Sequence, residues 1–227
     1  MCSQIREGAV MGLQEMVAYI LRGIGTTFKL VPLIVIATLI IGMLLGIIRF
    51  KGVRIASQII DVYVTAIRGI PPLVVLMMLY FTLKLHNSFL TAFIALTIYH
   101  SAYVTEIVRG GLEAVPKGQM EAGESLGLKF PRIMASIYIP QIILQIVPTL
   151  CGQYILVVKD TTLVSVVGLQ DIMWNATELI AVTYDPIRVY FIIGVLYFVI
   201  CFIIDIIASR VEKKMHSTYQ TRLNARG

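Results

Sequence analysis

Charge is scarce in this 227-residue sequence: Asp, Glu, Lys and Arg make up 14% of it and 58% is hydrophobic, where an average soluble domain is about 25% charged. A water-soluble globule cannot bury such a surplus once it lies in long charge-poor runs, and a mean hydropathy of +0.85 points to lipid as a second solvent. Cysteine is equally scarce. Cys2, Cys151 and Cys201 lie far apart, two of them inside apolar runs, so neither a disulfide framework nor a zinc cluster is written here. The histidines His86, His100 and His216 show no HExxH or other ligand spacing, and the carboxylates form no EF-hand loop, so no metal site is expected. There is no G-x-x-x-x-G-K-[ST] loop to cradle ATP phosphates, no low-complexity stretch, and no repeat at about 20 to 50 residues, which argues against an ATPase, a solenoid or an internally duplicated transporter. The residues ahead of the first apolar run are too many and too mixed in charge for a secretory leader, so no cleavage is expected.

What the sequence does have is five apolar runs near the roughly 20 residues that cross about 30 Å of hydrocarbon. They are Leu30 to Ile48, Ile59 to Leu83, Phe89 to Val108, Ile137 to Val158 and Val189 to Ile207. None alternates apolar with polar residues as a membrane strand must, so an all-α integral membrane protein of five transmembrane helices is expected. The net charge of +6 and pI of about 9.3 then report cytoplasmic loops rather than a nucleic-acid partner. Placing the C-terminus in the cytoplasm puts Arg49, Lys51 and Arg54, then Arg109, Lys117, Lys129 and Arg132, then Arg210, Lys213, Lys214, Arg222 and Arg226 inside. Only Arg6, Arg22, Lys29, Lys84, Lys159 and Arg188 fall on the other face, with Arg68 inside the second span, so the N-terminus is expected outside.

One membrane domain over 1–227 is expected, with 159–188 external and 109–140 a cytoplasmic loop. Ahead of the first span, Ile5, Leu13, Met16, Val17 and Ile20 have polar Gln4, Arg6, Glu7, Gln14 and Glu15 among them, a pattern that suits an interfacial amphipathic helix within 1–24, or a tail. The external segment carries Asp160, Asp171, Glu178 and Asp185 with Trp174 and Tyr184, a sizeable surface for a partner. The cytoplasmic loop is heavily punctuated by glycine and proline. Between the breakers, Lys117 to Leu128 predicts a short helix with Glu121, Ala122 and Ser125 on adjoining turns, stopped by Gly127 and forbidden to continue by Pro131. Small side chains on such a helix let another backbone approach closely.

Glu121-Ala122-Gly123, three residues, Gly127, nine residues, then Ile137-Tyr138-Ile139-Pro140 resembles the EAA loop of binding-protein-dependent ABC importer permeases, with Gly123 in place of the third alanine and Ile139 in place of a leucine. Four further blocks resemble the polar amino-acid permeases of that family. These are Arg68-Gly69-Ile70-Pro71-Pro72-Leu73, the run from Ala102 to Gly111, Val115-Pro116-Lys117-Gly118-Gln119, and the run from Lys159 to Gly168. The resemblance extends from about Gly25 to Lys213. It implies the type I importer permease fold, a multi-pass place in a bacterial inner membrane, and no catalytic residue on this chain. It further implies a separate ATP-binding subunit carrying ATP and Mg, a second permease subunit, identical or paralogous, an extracellular substrate-binding protein, and an amino-acid substrate. Glu121, Ala122, Gly123, Glu124, Ser125 and Gly127 become the expected ATPase-coupling residues.

Gly123-Glu124-Ser125-Leu126-Gly127 also matches the G-x-S-x-G nucleophile elbow, but no strand pattern stands beside it to expose the serine on a strained turn. Gly42 and Gly46 form a GxxxG that marks a close helix crossing within one subunit or between two. Asn175-Ala176-Thr177 is a chance sequon. Charges within spans are costly and therefore informative. Glu106 and Arg109, three apart, read first as an intrahelical pair, with substrate-amine binding by Glu106 as the alternative. Arg68 is placed to neutralise Asp61 or Glu106, ahead of Pro71 and Pro72, whose freed carbonyls suit a helix bordering a wet path. Lys159, Asp160, Thr161 and Thr162 offer both an acceptor for an ammonium and donors for a carboxylate, or a salt bridge ordering a broken helix. His100 completes the substrate-path candidates. An ion-coupled transporter driven through Glu106 and Asp160 is the rival class.

Overall fold

The computed structural model describes residues 11–224, with backbone alone for 216–224. Cys2, Gln4, Ile5, Arg6, Glu7 and Arg226 lie outside the described residues, as do the side chains of His216 and Arg222. The helices are α1 (Leu13–Leu21), α2 (Ile24–Lys51), α3 (Arg54–Gly69), α4 (Pro72–Leu83), α5 (Ser88–Glu113), α6 (Gly118–Ser125), α7 (Phe130–Ile133), α8 (Ile139–Asp160), α9 (Ile172–Thr183) and α10 (Pro186–Asn224). A π-helical turn, Met134–Tyr138, precedes α8, and a 3₁₀ segment, Thr161–Val167, follows it. No strand occurs among the described residues.

Among the described residues four stretches are long and apolar enough to span a bilayer: Leu13–Lys51, Ser88–Glu113, Phe130–Val167 and Pro186–Met215. The pair α3 and α4, bent by 111°, reaches that length only together, as a broken span or a re-entrant loop. The run Ile59 to Leu83, expected as one span, is therefore two helices. Pro71 sits as the extended N-cap of α4, at φ −60 and ψ 143. Neither Pro71 nor Pro72 has an N–H to continue the ladder of α3, and the ring of Pro71 pushes Ile70 away from helical geometry.

The chain divides into two compact units, with boundaries inside α2, α5, α8 and α10 and at the end of α3. One unit comprises residues up to Ile36 with Ile70–Ile98 and Ile155–Ile203. Here α1 buries Met16 and Ile20 and packs on α9, where the Tyr19 hydroxyl donates to Glu178 at 3.0 Å and the Asn175 amide donates to the Tyr19 carbonyl at 3.2 Å. Gly23 lies against the backbone of Asp171 and Ile172, an approach that a Cβ would prevent. The apolar face predicted for a lipid interface is, for Met16 and Ile20, buried in protein.

Asp171 caps α9 by accepting the Trp174 N–H at 2.8 Å and is fully buried. Burial pushes its carboxyl up to about 6, so the folded chain holds a proton that an unfolded Asp, near 3.8, has lost. Stability from this group is therefore complete below about pH 4 and falls as pH rises from there to about 6, by on the order of 2–3 kcal/mol. Asp171→Asn keeps the cap acceptor and removes the titration. Thermal unfolding in detergent between pH 4 and 7 is expected to show a flatter profile for Asp171→Asn than for wild type; superimposable profiles would refute the assignment.

The other unit comprises Ala37–Gly69, Tyr99–Tyr154 and the chain from Ile204. Its core joins Val104, Val108 and Leu112 of α5 to Ile133, Met134 and Tyr138 around the π-helical turn and to Ile142, Ile146 and Leu150 of α8. Gly42 and Gly46 of α2 face Val104 and Val108 of α5 within the same chain, so the GxxxG marks an intrasubunit crossing.

A candidate coupling helix and the ion pairs at its root

The loop that leaves α5 makes one short turn at Pro116 before α6 begins. The helix is shorter than the expected Lys117 to Leu128, and its end is set by Gly127. That glycine has φ +74, its N–H donates to the Glu124 carbonyl at 2.8 Å, and the Leu128 N–H reaches the Gly123 carbonyl at 3.0 Å. These two bonds form a Schellman cap, which needs a left-handed residue at this position. Gly123 is the buried residue of α6, and a Cβ there would meet Ile133 carbons at 3.0 Å. Glycine in place of the alanine of the EAA pattern thus lets α6 settle on α7, and the helix runs unbroken through it.

Glu121, Ala122, Glu124 and Ser125 are exposed, as is Leu126, at 80%. The Ser125 hydroxyl donates to the Glu121 carbonyl at 2.8 Å, within its own helix and far from the geometry of a nucleophile elbow. At the foot of α6 lies a cleft of about 580 Å³ lined by Phe50, Glu113, Val115, Lys117, Met120, Glu121 and Tyr138. Phe50 closes one wall on Tyr138, ring centroids 5.5 Å apart, and Lys51 lies 5.1 Å over the ring of Phe130.

Five charged groups meet above this cleft. Arg49 of α2 pairs with both Asp61 of α3 and Glu106 of α5. Arg109 pairs with the other oxygen of Glu106 and, at 2.5 Å, with Glu113. The order is Asp61, Arg49, Glu106, Arg109, Glu113, with signs alternating throughout. The intrahelical pair of Glu106 and Arg109 is present as expected. The assignment of Arg68 to Asp61 or Glu106 is not: Arg49 serves both carboxylates, and the Arg68 guanidinium lies 5.3 Å over the Tyr103 ring. Arg49 is the residue that sequence reasoning missed. Its signal was its position ahead of Gly52, a tight turn at φ +72 that folds α3 back beside α2.

His100 is fully buried and receives the Gln153 amide from α8 at 2.9 Å on Nδ1, the interhelical bond that is the common fate of a membrane histidine. In the other unit, the Thr161 hydroxyl donates to the Val158 carbonyl and that of Thr162 to the Lys159 carbonyl, while Lys159 is exposed. Both hydroxyls are thus engaged by their own backbone, ordering the change from α8 to the 3₁₀ segment.

By length and apolarity the described helices define a multi-pass membrane protein with up to five membrane-length segments and a short exposed helix seated on its own core. The comparisons with known proteins sharpen this. Residues 38–217 match the family described as binding-protein-dependent transport system inner membrane component, and the chain belongs to that family. The arginine transport system permease protein ArtQ of Bacillus subtilis is 34% identical over 206 residues, covering 88% of this chain and 94% of its own. The L-cystine transport system permease protein TcyB of the same organism is 32% identical over 200 residues, covering 84% and 85%. A crystal structure of an amino acid ABC transporter with histidines superposes with a TM-score of 0.79 at 31% identity, over 90% of this chain and 99% of that one. The chain is therefore a multi-pass inner-membrane permease subunit, and ATP is used by a partner ATPase.

Proposed function

We propose that this chain, paired with an identical or paralogous permease, forms half of the translocation path of an ATP-driven importer of polar amino acids. Substrate arrives from an extracellular binding protein, and the separate ATPase, charged with ATP and Mg, grips α6. The single observation that carries this reading is α6 itself: Glu121, Ala122, Glu124 and Ser125 are presented to solvent on a helix whose glycines, Gly123 and Gly127, anchor it below and end it sharply. The amino-acid substrate is supported by the relatives, whose names state arginine and cystine transport. The lysines and arginines flanking the spans support an external N-terminus and a cytoplasmic C-terminus.

Coupling means that closure of the ATPases favours one facing state through contacts made differently in each. Chemistry alone, a zwitterion needing both charges, supports Arg68, His100, Lys159, Asp160, Thr161 and Thr162 as path residues. For Glu106 the geometry favours an ion-pair hub. The test is ATP hydrolysis by the purified complex in lipid discs, with and without its binding protein and a panel of amino acids, comparing wild type with Glu121→Lys. One amino-acid class is expected to stimulate hydrolysis, and charge reversal at Glu121 to abolish the stimulation. A wild-type complex with no copurifying ATPase, or transport that follows an ion gradient, would transfer the function to the secondary-transporter class.

A further inference from the structure

We infer that the alternating ion pairs Asp61, Arg49, Glu106, Arg109 and Glu113 are a positioning chain that holds the root of the coupling helix in register with α2 and α3, so that a push on α6 moves three helices together. The inference rests on the reading of α6 as the ATPase contact. Three features of the geometry carry it. First, both arginines bridge: Arg49 joins α2 to α3 and α5, and Arg109 continues from Glu106 to Glu113 at the last turn of α5. Second, Glu113 also lines the cleft with Lys117 and Glu121, so the chain ends on the wall that α6 shares. Third, Phe50, next to Arg49, packs on Tyr138, giving an apolar link parallel to the ionic one. A push on α6 therefore meets two stiff connections to α2. Neither of them is needed to form α6, which is set by its glycines.

A chain of alternating charges has a useful weakness. Removing the charge of Glu106 leaves Arg49 with Asp61 and Arg109 with Glu113, two pairs that remain neutral, so the link is cut without stranding a charge. Glu113 is half exposed, 52%, and its pair with Arg109 is of a kind that contributes little to stability. Arg109 and Glu113 both lie on α5, so Glu113→Gln leaves every interhelical pair in place and serves as the control. A positioning role predicts that Glu106→Gln, which cuts α2 from α5, and Asp61→Asn, which cuts α2 from α3, each lose coupling while Glu113→Gln keeps it.

The experiment is the ratio of hydrolysis with binding protein and amino acid to hydrolysis without, measured on the complex in lipid discs for wild type, Glu106→Gln, Asp61→Asn, Glu113→Gln and Glu121→Lys. We expect the ratio to drop roughly tenfold in Glu106→Gln and in Asp61→Asn, with the ATPase still copurifying, and to keep its wild-type value in Glu113→Gln. If Glu106→Gln and Asp61→Asn keep the wild-type ratio while Glu121→Lys loses it, the chain has no positioning role and the coupling-helix reading stands. If wild type itself shows no stimulation, the coupling-helix reading fails with everything built on it. Should Glu106→Gln fail to assemble, Asp61→Asn alone decides.

Discussion

Arg49→Met is expected to destabilise the folded protein by about 1–3 kcal/mol. Its guanidinium is the only partner of Asp61 among the described ion pairs and one of two partners of Glu106, and its side chain is 18% exposed. Methionine fills similar volume, so the loss is electrostatic rather than steric. Asp61, 48% exposed, then turns to water, whereas Glu106, 24% exposed, keeps only Arg109, so the loss lies between the ~1 kcal/mol of a surface pair and the ~3 kcal/mol of a buried one. That is a large share of the roughly 5–15 kcal/mol by which a domain is stable. Arg49→Lys supplies one charge but not the planar fork that reaches α3 and α5 at once, so it is expected to fall between. The check is the monodisperse fraction and melting temperature in detergent at neutral pH. Arg49→Met/Glu106→Gln, which removes charges of opposite sign together, is expected to recover part of the loss. A wild-type melting temperature for Arg49→Met would show that solvent, not arginine, neutralises these carboxylates.

The contrast between Arg49 and α6 shows which parts of the molecule its sequence disclosed. Helix α6 was legible because its determinants are local: a breaker at each end, a glycine whose positive φ closes the cap, and a residue pattern that resembles the EAA loop. The spans were legible because lipid demands contiguous apolar length and little else. The break at Pro71 was visible as two imino acids, yet only the structure turns one run into two helices. The destination of Arg68 was misread for a different reason. The sequence does not say which cation meets Asp61 and Glu106, and what decides is the approach of α2 to α5, which carries Arg49 to Glu106. The amphipathic signal at Met16 and Ile20 had the same limit, since periodicity reports a buried face without naming what buries it.

That approach of α2 to α5 carries the second large effect. Gly46→Leu is expected to prevent assembly of the unit, and Gly46→Ala to destabilise it by about 1–3 kcal/mol, the usual cost of overpacking. A Cβ at position 46 would stand 2.7 Å from Val108 Cγ1, 2.9 Å from its Cβ and 3.1 Å from the Thr105 carbonyl oxygen. Val108 is fully buried, so its methyl has nowhere to retreat. Gly42 makes the same kind of contact with Val104 one turn earlier, so the two helices touch backbone to side chain over two turns. A glycine pair that served a contact between copies would respond to the partner copy instead. The discriminating variant is Gly46→Ala/Val108→Ala: removing the Val108 methyls relieves the nearest clash, and the melting temperature should recover part of the loss seen in Gly46→Ala. No recovery would move the crossing off this chain. Arg49 lies one turn beyond Gly46, and Glu106 stands between the Thr105 and Val108 that Gly46 meets. Widening the crossing therefore draws the guanidinium away from Glu106. Gly46→Ala should accordingly lose stimulated ATP hydrolysis at temperatures where it is still folded, and the double variant should regain it together with its stability.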